Sequence, residues 1–163
     1  LTQSGMPAGL ADGYCKALKG ILTAMAGMES ISDPNAKAQE IVKQTGVNLP
    51  APAVANLVKV IESGTPWLKS FISYDPTGDI KAQKCPVMAV NGSKDMQVIA
   101  DENLSAIRGL LPANKMNVVK EYDGLNHLFQ HCTTGMVTEY NQIEETMSPE
   151  VMQDIAGWIN KVK

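Results

Sequence analysis

The 163-residue sequence has little of several features that define large classes of protein. Its three cysteines are an odd number without a Cys-x-x-Cys pair, so neither a zinc ribbon nor a complete disulfide framework is indicated. Lys and Arg number 14 against 17 Asp and Glu, and the net charge of −3 provides no basic field for nucleic acid. No apolar run approaches the roughly 20 residues of a membrane span. We therefore expect neither nucleic-acid binding nor a membrane-spanning segment.

The start of the sequence also lacks two familiar signals. Leu1-Thr2-Gln3-Ser4 contains neither an initiator Met nor a signal-peptide pattern, and we expect the sequence to begin inside a longer protein. The sequence indicates no cellular compartment, because a targeting segment would lie upstream of residue 1. The 44% hydrophobic and 19% charged content is typical of a folded globular domain of about this length.

The first 75 residues predict helices alone. Apolar residues recur at helical spacing, and two of the helices begin with a capping residue followed by proline. The predicted helices cover residues 10–27, Asp33-Pro34 to near Gly46, Val54 to Ile61 before Gly64, and Thr65-Pro66 to the break at Tyr74-Asp75-Pro76.

From residue 76 onward the pattern predicts a βαβ unit and a terminal helix. Residues 86–91 form a short apolar run bounded by Pro and Gly, which is typical of a strand buried on both faces. A helix follows between Asp101 and Pro112, and a second strand is predicted around Val118-Val119. Ser148 as cap, with proline next, begins the last helix. Because parallel sheets usually hold four or more strands, we expect this sheet to be incomplete in the chain.

Two polar residues follow the two predicted strands. Asp95 lies four residues after Asn91, where the first strand ends, and His127 lies five after Tyr122, near the end of the second. Loops beyond the carboxyl ends of parallel strands converge on one crevice, so we expect these side chains to meet. A carboxylate that accepts the Nδ1 proton of an imidazole fixes its tautomer and stabilises the imidazolium. The pair predicts the acid and the base of a catalytic triad.

Simpler interpretations exist for each residue alone. An aspartate in a Gly-Ser-Lys-Asp turn commonly bonds local backbone amides, and a single histidine is often a loop residue. His127 and His131 are also spaced four apart, so on a helix they could bind a metal ion with Cys132 or Glu139 as a further ligand. The order and spacing after consecutive strands favour the triad interpretation, with no metal and no cofactor.

Three segments of the sequence resemble a known family. Pro86 to Val98, Gly124 to Gln130 and Ser148 to Ile159 are similar to the C-terminal half of α/β-hydrolase serine esterases, most closely the bacterial esterase and peptidase-like branch. The resemblance implies Asp95 as triad acid and His127 as triad base. It also implies residues 1–75 as a helical lid or cap region and residues 76–163 as the C-terminal part of an α/β-hydrolase core.

The nucleophile that this family requires is absent from the sequence. No G-x-S-x-G motif occurs, and Ser4 lacks both flanking glycines, so the resemblance implies a serine upstream of Leu1. The expected function is part of a serine hydrolase that cleaves carboxylic esters through an acyl-enzyme, with a small-molecule ester as substrate. The missing N-terminal half, from the same gene product or a second chain, is the expected partner. The alternative is a non-catalytic, hydrolase-like fragment that serves as an interaction or self-association module.

Overall fold

The computed structural model describes residues 5–26, 31–64 and 66–162. The chain divides into two compact units, Leu1–Asp75 and Pro76–Lys163. Helices make up most of the described residues, and two strands form a parallel sheet. The mixed α/β class predicted from the sequence is therefore confirmed.

The described residues of the first unit form four helices. Asp33 caps the second of them, because its Oδ1 accepts a hydrogen bond of 2.9 Å from the backbone N–H of Ala36. Residue 27 and Thr65, where two of the predicted helices end and begin, lie outside the described residues. No helix in the described ranges is both long and apolar enough to span a bilayer. The helices are α1 (Ala8–Ala26), α2 (Pro34–Gln44), α3 (Ala51–Glu62) and α4 (Pro66–Ser73).

Apolar side chains from α1, α2 and α3 form one core in the first unit. The residues recur three or four apart along each helix, so each helix presents one apolar stripe. Glycine at position 20 leaves room for the side chain of Ile41 between α1 and α2. The buried members of this core are Ala17, Ile21, Met25, Ala38, Val42, Val54, Val58 and Ile61.

The second unit contains the predicted βαβ arrangement and the terminal helix. Two short elements were not predicted: the five-residue α5, and a 3-10 helix formed by Val137–Gln142. Both are too short to show an apolar period in the sequence. The elements are α5 (Thr77–Lys81), β1 (Met88–Gly92), α6 (Ala100–Leu110), β2 (Val118–Tyr122) and α7 (Pro149–Val162).

The register of the two strands aligns their carboxyl ends. Met88 pairs with Val118, and Gly92 pairs with Tyr122, so the loop after β1 and the loop after β2 begin side by side. The prediction that the first strand is buried on both faces is wrong, because every residue of β1 except Gly92 is half-buried. Within the described residues β1 pairs only with β2, and this leaves one edge of each strand without a neighbour.

Helix α7 packs on β2 through a small core and a polar cluster. Tyr122, Leu125 and Val151 are buried together. The Tyr122 hydroxyl donates to Oδ2 of Asp154 at 2.9 Å, and the Lys120 ammonium lies 2.6 Å from the same oxygen. Burial, followed by that hydrogen bond, raises the pKa of Tyr122 to about 12, so the phenol stays neutral and remains a donor. These contacts with α7 fix the carboxyl end of β2, where the next loop begins.

Candidate functional site

The loop after β1 forms a tight turn around the Asp95 carboxylate. Oδ1 of Asp95 accepts hydrogen bonds from the backbone N–H groups of Gln97 and Val98, at 2.8 and 2.9 Å. The Asn91 side chain, at the end of β1, donates to Oδ2 of Asp95 at 3.2 Å and to the Val98 carbonyl at 2.8 Å. The strand end and the turn thus hold the carboxylate in one orientation.

The Asp95 side chain is only 4% exposed, but its surroundings favour the ionised carboxylate. Burial acts to raise the pKa of this carboxyl, but hydrogen bonds from Val98, His127 and Gln97 together outweigh it. The pKa of Asp95 consequently lies below its ordinary value. At neutral pH the group is an ionised carboxylate that can only accept hydrogen bonds.

A second turn, after β2, presents His127. It is organised by Asn126, which is fully buried and whose Oδ1 accepts the backbone N–H groups of Leu128 and Gln130 at 2.9 and 3.0 Å. The Asn126 Nδ2 donates to Oε1 of Gln130 at 2.9 Å. Phe129 completes the turn with φ of 58°, a left-handed conformation that costs a bulky residue free energy. The hydrogen bonds of Asn126 offset that cost and fix the position of His127.

The two turns bring Asp95 and His127 into contact. Nδ1 of His127 lies 2.8 Å from Oδ2 of Asp95. Because the ionised carboxylate can only accept, Nδ1 carries the proton, and in the neutral ring Nε2 has the free lone pair. The His127 side chain is 37% exposed. The arrangement provides a proton acceptor at Nε2 whose ring orientation is fixed from the opposite side.

Close backbone contact between the turns makes this geometry possible. A Cβ at Gly92 would collide with the carbonyl oxygen of Leu125, so only glycine allows the two loops to approach this closely. The backbone N–H of Lys94 donates to the same Leu125 carbonyl at 2.9 Å. Ser93 accepts from the backbone of Gly124 at 2.8 Å and donates to Asp123 at 3.1 Å.

The structure does not support the helical metal site considered for His127 and His131. The segment is a turn rather than a helix, and His131 lies outside it against Glu145, with Nδ1 to Oε2 at 2.9 Å. Within the described ranges, no group of three His, Cys, Asp or Glu residues is arranged to hold a metal ion. A β-bridge between Leu125 and His131 closes the turn. The two imidazoles therefore have different partners, Asp95 for His127 and Glu145 for His131.

Several residues that support the pair could not be singled out from the sequence. Asn91 could have been noticed as a polar residue at the end of a predicted strand. Lys94 and Glu139 could not, because no sequence pattern indicates the residues that they contact.

No nucleophile is bonded to the pair in the part of the chain that the structure describes. No serine, threonine or cysteine there makes a hydrogen bond to His127, and Nε2 of the ring is without a partner among those residues. The contact between Asp95 and His127 predicted from the sequence is confirmed. Their catalytic roles stay a prediction.

Comparisons with known protein families, with curated proteins and with solved structures find no match to this chain.

Proposed function

We propose that this chain supplies the acid and the base of a serine hydrolase that cleaves carboxylic esters through an acyl-enzyme. In this proposal residues 76–163 belong to the C-terminal part of an α/β-hydrolase core, and residues 1–75 to its helical lid or cap. The serine comes from polypeptide outside these 163 residues. The observation that carries the proposal is the 2.8 Å contact between the buried Asp95 carboxylate and Nδ1 of a half-exposed His127.

The chemistry follows from that contact. Nε2 of His127 takes the proton of the serine hydroxyl as its oxygen attacks the ester carbonyl. The resulting imidazolium is stabilised by Asp95, which stays ionised throughout. The imidazolium then protonates the leaving alkoxide, and an acyl-serine remains. Water attacks this acyl group with His127 again as base, and the acid product and free serine are released.

The sheet supports the proposal independently of the two site residues. A strand of a parallel sheet is ordinarily covered on both faces and paired on both edges, except at the ends of the sheet. Here the residues of β1 before Gly92 are half-buried, and β1 pairs only with β2 within the described residues. Additional strands from the polypeptide that carries the serine would pair the open edges.

The surroundings of the pair favour an ester with an apolar portion. Met96 and Val98 follow Asp95 in the same turn, Leu128 follows His127, and all three large apolar side chains are exposed. Exposed apolar groups beside a polar reacting centre are the usual composition of a small-molecule site. An acyl or alcohol group that covers them would gain roughly 25 cal/mol for each Å² of apolar surface removed from water.

A fluorophosphonate probe, which reacts with activated serines, tests the proposal on the complete native protein. We expect the probe to label a serine in polypeptide joined to or co-purifying with this chain. His127→Ala should abolish labelling, and His131→Ala is the matched control because that imidazole lies away from Asp95. Labelling undiminished in His127→Ala would contradict the role of His127.

The open strand edges also favour one alternative, an interaction module without catalysis. In that case no polypeptide in the native preparation would react with the probe. The molecular mass in solution would then show a second copy of this chain completing the sheet. These two results together would replace the hydrolase proposal.

A further inference from the structure

Lys94, the residue before Asp95, reaches across to the chain that follows the His127 turn. Its ammonium donates to the carbonyl oxygens of Cys132 and Thr133, at 3.0 and 3.1 Å. The Lys94 side chain is half-buried, and a charged donor shared by two carbonyls forms stronger hydrogen bonds than a neutral one. One residue of the Asp95 turn is therefore bonded to a segment about 38 residues further along the chain.

The backbone at Lys94 is enclosed from two sides. Its N–H donates to the Leu125 carbonyl at 2.9 Å, at the start of the His127 turn. Its carbonyl oxygen lies against Gly135, where a Cβ could not be placed, and Gly135 has φ of 76°. Glycine at position 135 is thus required both by the close approach and by the left-handed backbone.

Glu139 holds the segment that receives the Lys94 ammonium. Its carboxylate accepts the backbone N–H groups of Thr133, Thr134 and Gly135, and also the Thr134 hydroxyl at 2.7 Å. These bonds, first of all the one from the Thr134 hydroxyl, lower the pKa of Glu139 to about 2. The carboxylate is therefore charged at neutral pH, and it holds the N–H of Thr133 while Lys94 holds the carbonyl of the same residue.

We propose that Lys94 is a positioning residue, which fixes the Asp95 turn against the His127 turn through the Thr133 segment that Glu139 holds in shape. The segment from Ser93 to Asp95 belongs to neither a helix nor a strand. Its position is set instead by these contacts, and a displacement of about 1 Å in a catalytic group can lower a rate by about 100-fold. The effect on turnover rests on the proposed function, whereas the effect on the contact between Asp95 and His127 does not.

Nuclear magnetic resonance of the imidazole Nδ1 proton tests the positioning directly on the 163-residue chain. With histidine labelled at its ring nitrogens, the chain contains only two labelled imidazole rings, and His127→Ala assigns the signals of each. A proton held between Nδ1 and a buried carboxylate exchanges slowly and gives a signal far downfield. We expect Lys94→Met to remove or broaden that signal and Lys94→Arg to retain it, because arginine can donate to the same carbonyls.

Two further variants separate this role from a general loss of stability. Lys16→Met is the matched control, since it removes an exposed ammonium that pairs with Asp12 at 2.7 Å on α1, and it should leave the downfield signal unchanged. Glu139→Gln, which keeps the shape of the side chain, should weaken the signal without removing Lys94. A downfield signal that is unchanged in both Lys94→Met and Glu139→Gln would overturn the proposal.

Kinetics of the complete protein provide the second readout. We expect Lys94→Met to lower kcat by about 10- to 100-fold with little change in KM. In an Asp95→Asn background the same substitution should lower kcat by less than about twofold, because residues that act through one contact are not additive. Equal losses in both backgrounds would show that Lys94 does not act through Asp95. Absence of any turnover in the unsubstituted protein would refute the proposed function, while the magnetic resonance result would stand.

Discussion

The two units of the chain are stabilised in different ways. In the helical unit, eight apolar side chains from three helices form one buried core. In the unit that holds Asp95 and His127, the buried cluster among the described residues is smaller and consists of Tyr122, Leu125 and Val151, while the loops are joined by hydrogen bonds and by glycines at backbone contact. Packing therefore determines the first unit, and directional polar bonds determine the geometry of the candidate site.

The largest effect that distinguishes the units is expected in turnover. His127→Ala should lower kcat of the complete protein by at least about 10⁴-fold, because the serine loses its proton acceptor. The stability of the second unit should change little, since Asp95 keeps its bonds to Gln97, Val98 and Asn91. Steady-state kinetics and urea unfolding measure the two quantities. His131→Ala serves as control, and a loss of similar size in that variant would remove the distinction between the two histidines.

A substitution in the helical core should do the reverse. Ile21→Ala removes a fully buried side chain from α1 and should lower the free energy of unfolding of the first unit by about 2–5 kcal/mol. Amide hydrogen exchange resolved along the chain should show lost protection in α1 to α3 and unchanged protection in β2. Val60→Ala, at an exposed position of α3, should stay within about 0.5 kcal/mol of the original. Equal loss of protection in both units would show that they unfold as one.

The sequence predicts the packing-determined unit more completely than the polar one. Helical periodicity, and Asp33 followed by proline, are local signals, and the four helices were predicted near their observed bounds. The sequence predicts the first strand at residues 86–91, whereas the strand runs from Met88 to Gly92. Its bounds are set by the hydrogen bonds with β2, and Pro86 has no N–H group to donate to them.

Within the site, the sequence predicts Asp95 and His127 but not the residues that join their two turns. Asp95 and His127 follow from strand order, since loops after adjacent parallel strands converge. The contacts of Lys94 with Cys132 and Thr133 join positions nearly 40 residues apart and leave no periodic pattern. The same holds for Gly135, whose requirement for glycine comes from a carbonyl in another loop.

An intermediate effect on stability is expected from the turn that presents His127. Asn126→Ala leaves the buried backbone N–H group of Gln130 and the half-buried one of Leu128 without their acceptor, which should cost about 1–3 kcal/mol. Urea unfolding followed by Trp158 fluorescence in a Trp67→Phe background reports the second unit. Asn103→Ala is the control, because that amide donates to the carbonyl of Ile99, an exposed residue just before α6. If Asn126→Ala were no less stable than the control, water must satisfy the turn, and packing alone would position His127.

The smallest expected effect is a dependence of the second unit's stability on acid. The pKa of Glu139 falls from an ordinary 4.5 to about 2 in the folded protein, through the Thr134 hydroxyl and the backbone N–H groups of the same segment. A carboxyl with a lowered pKa stabilises the fold above its ordinary pKa, and this contribution is lost as the pH falls toward the folded value. Asp95, whose pKa is also lowered, acts in the same direction.

Glu139→Gln separates the Glu139 contribution from that of Asp95. At pH 7 the variant should unfold at lower urea than the original, because glutamine keeps the shape but not the charge. Below about pH 4.5 the two unfolding midpoints should approach each other, and near pH 2 they should almost coincide, since a protonated glutamate is also uncharged. Equal midpoints for the two proteins at pH 7 would mean that Glu139 acts through its shape and not through its charge. The polar segment around the site would then be held by packing, as the helical unit is.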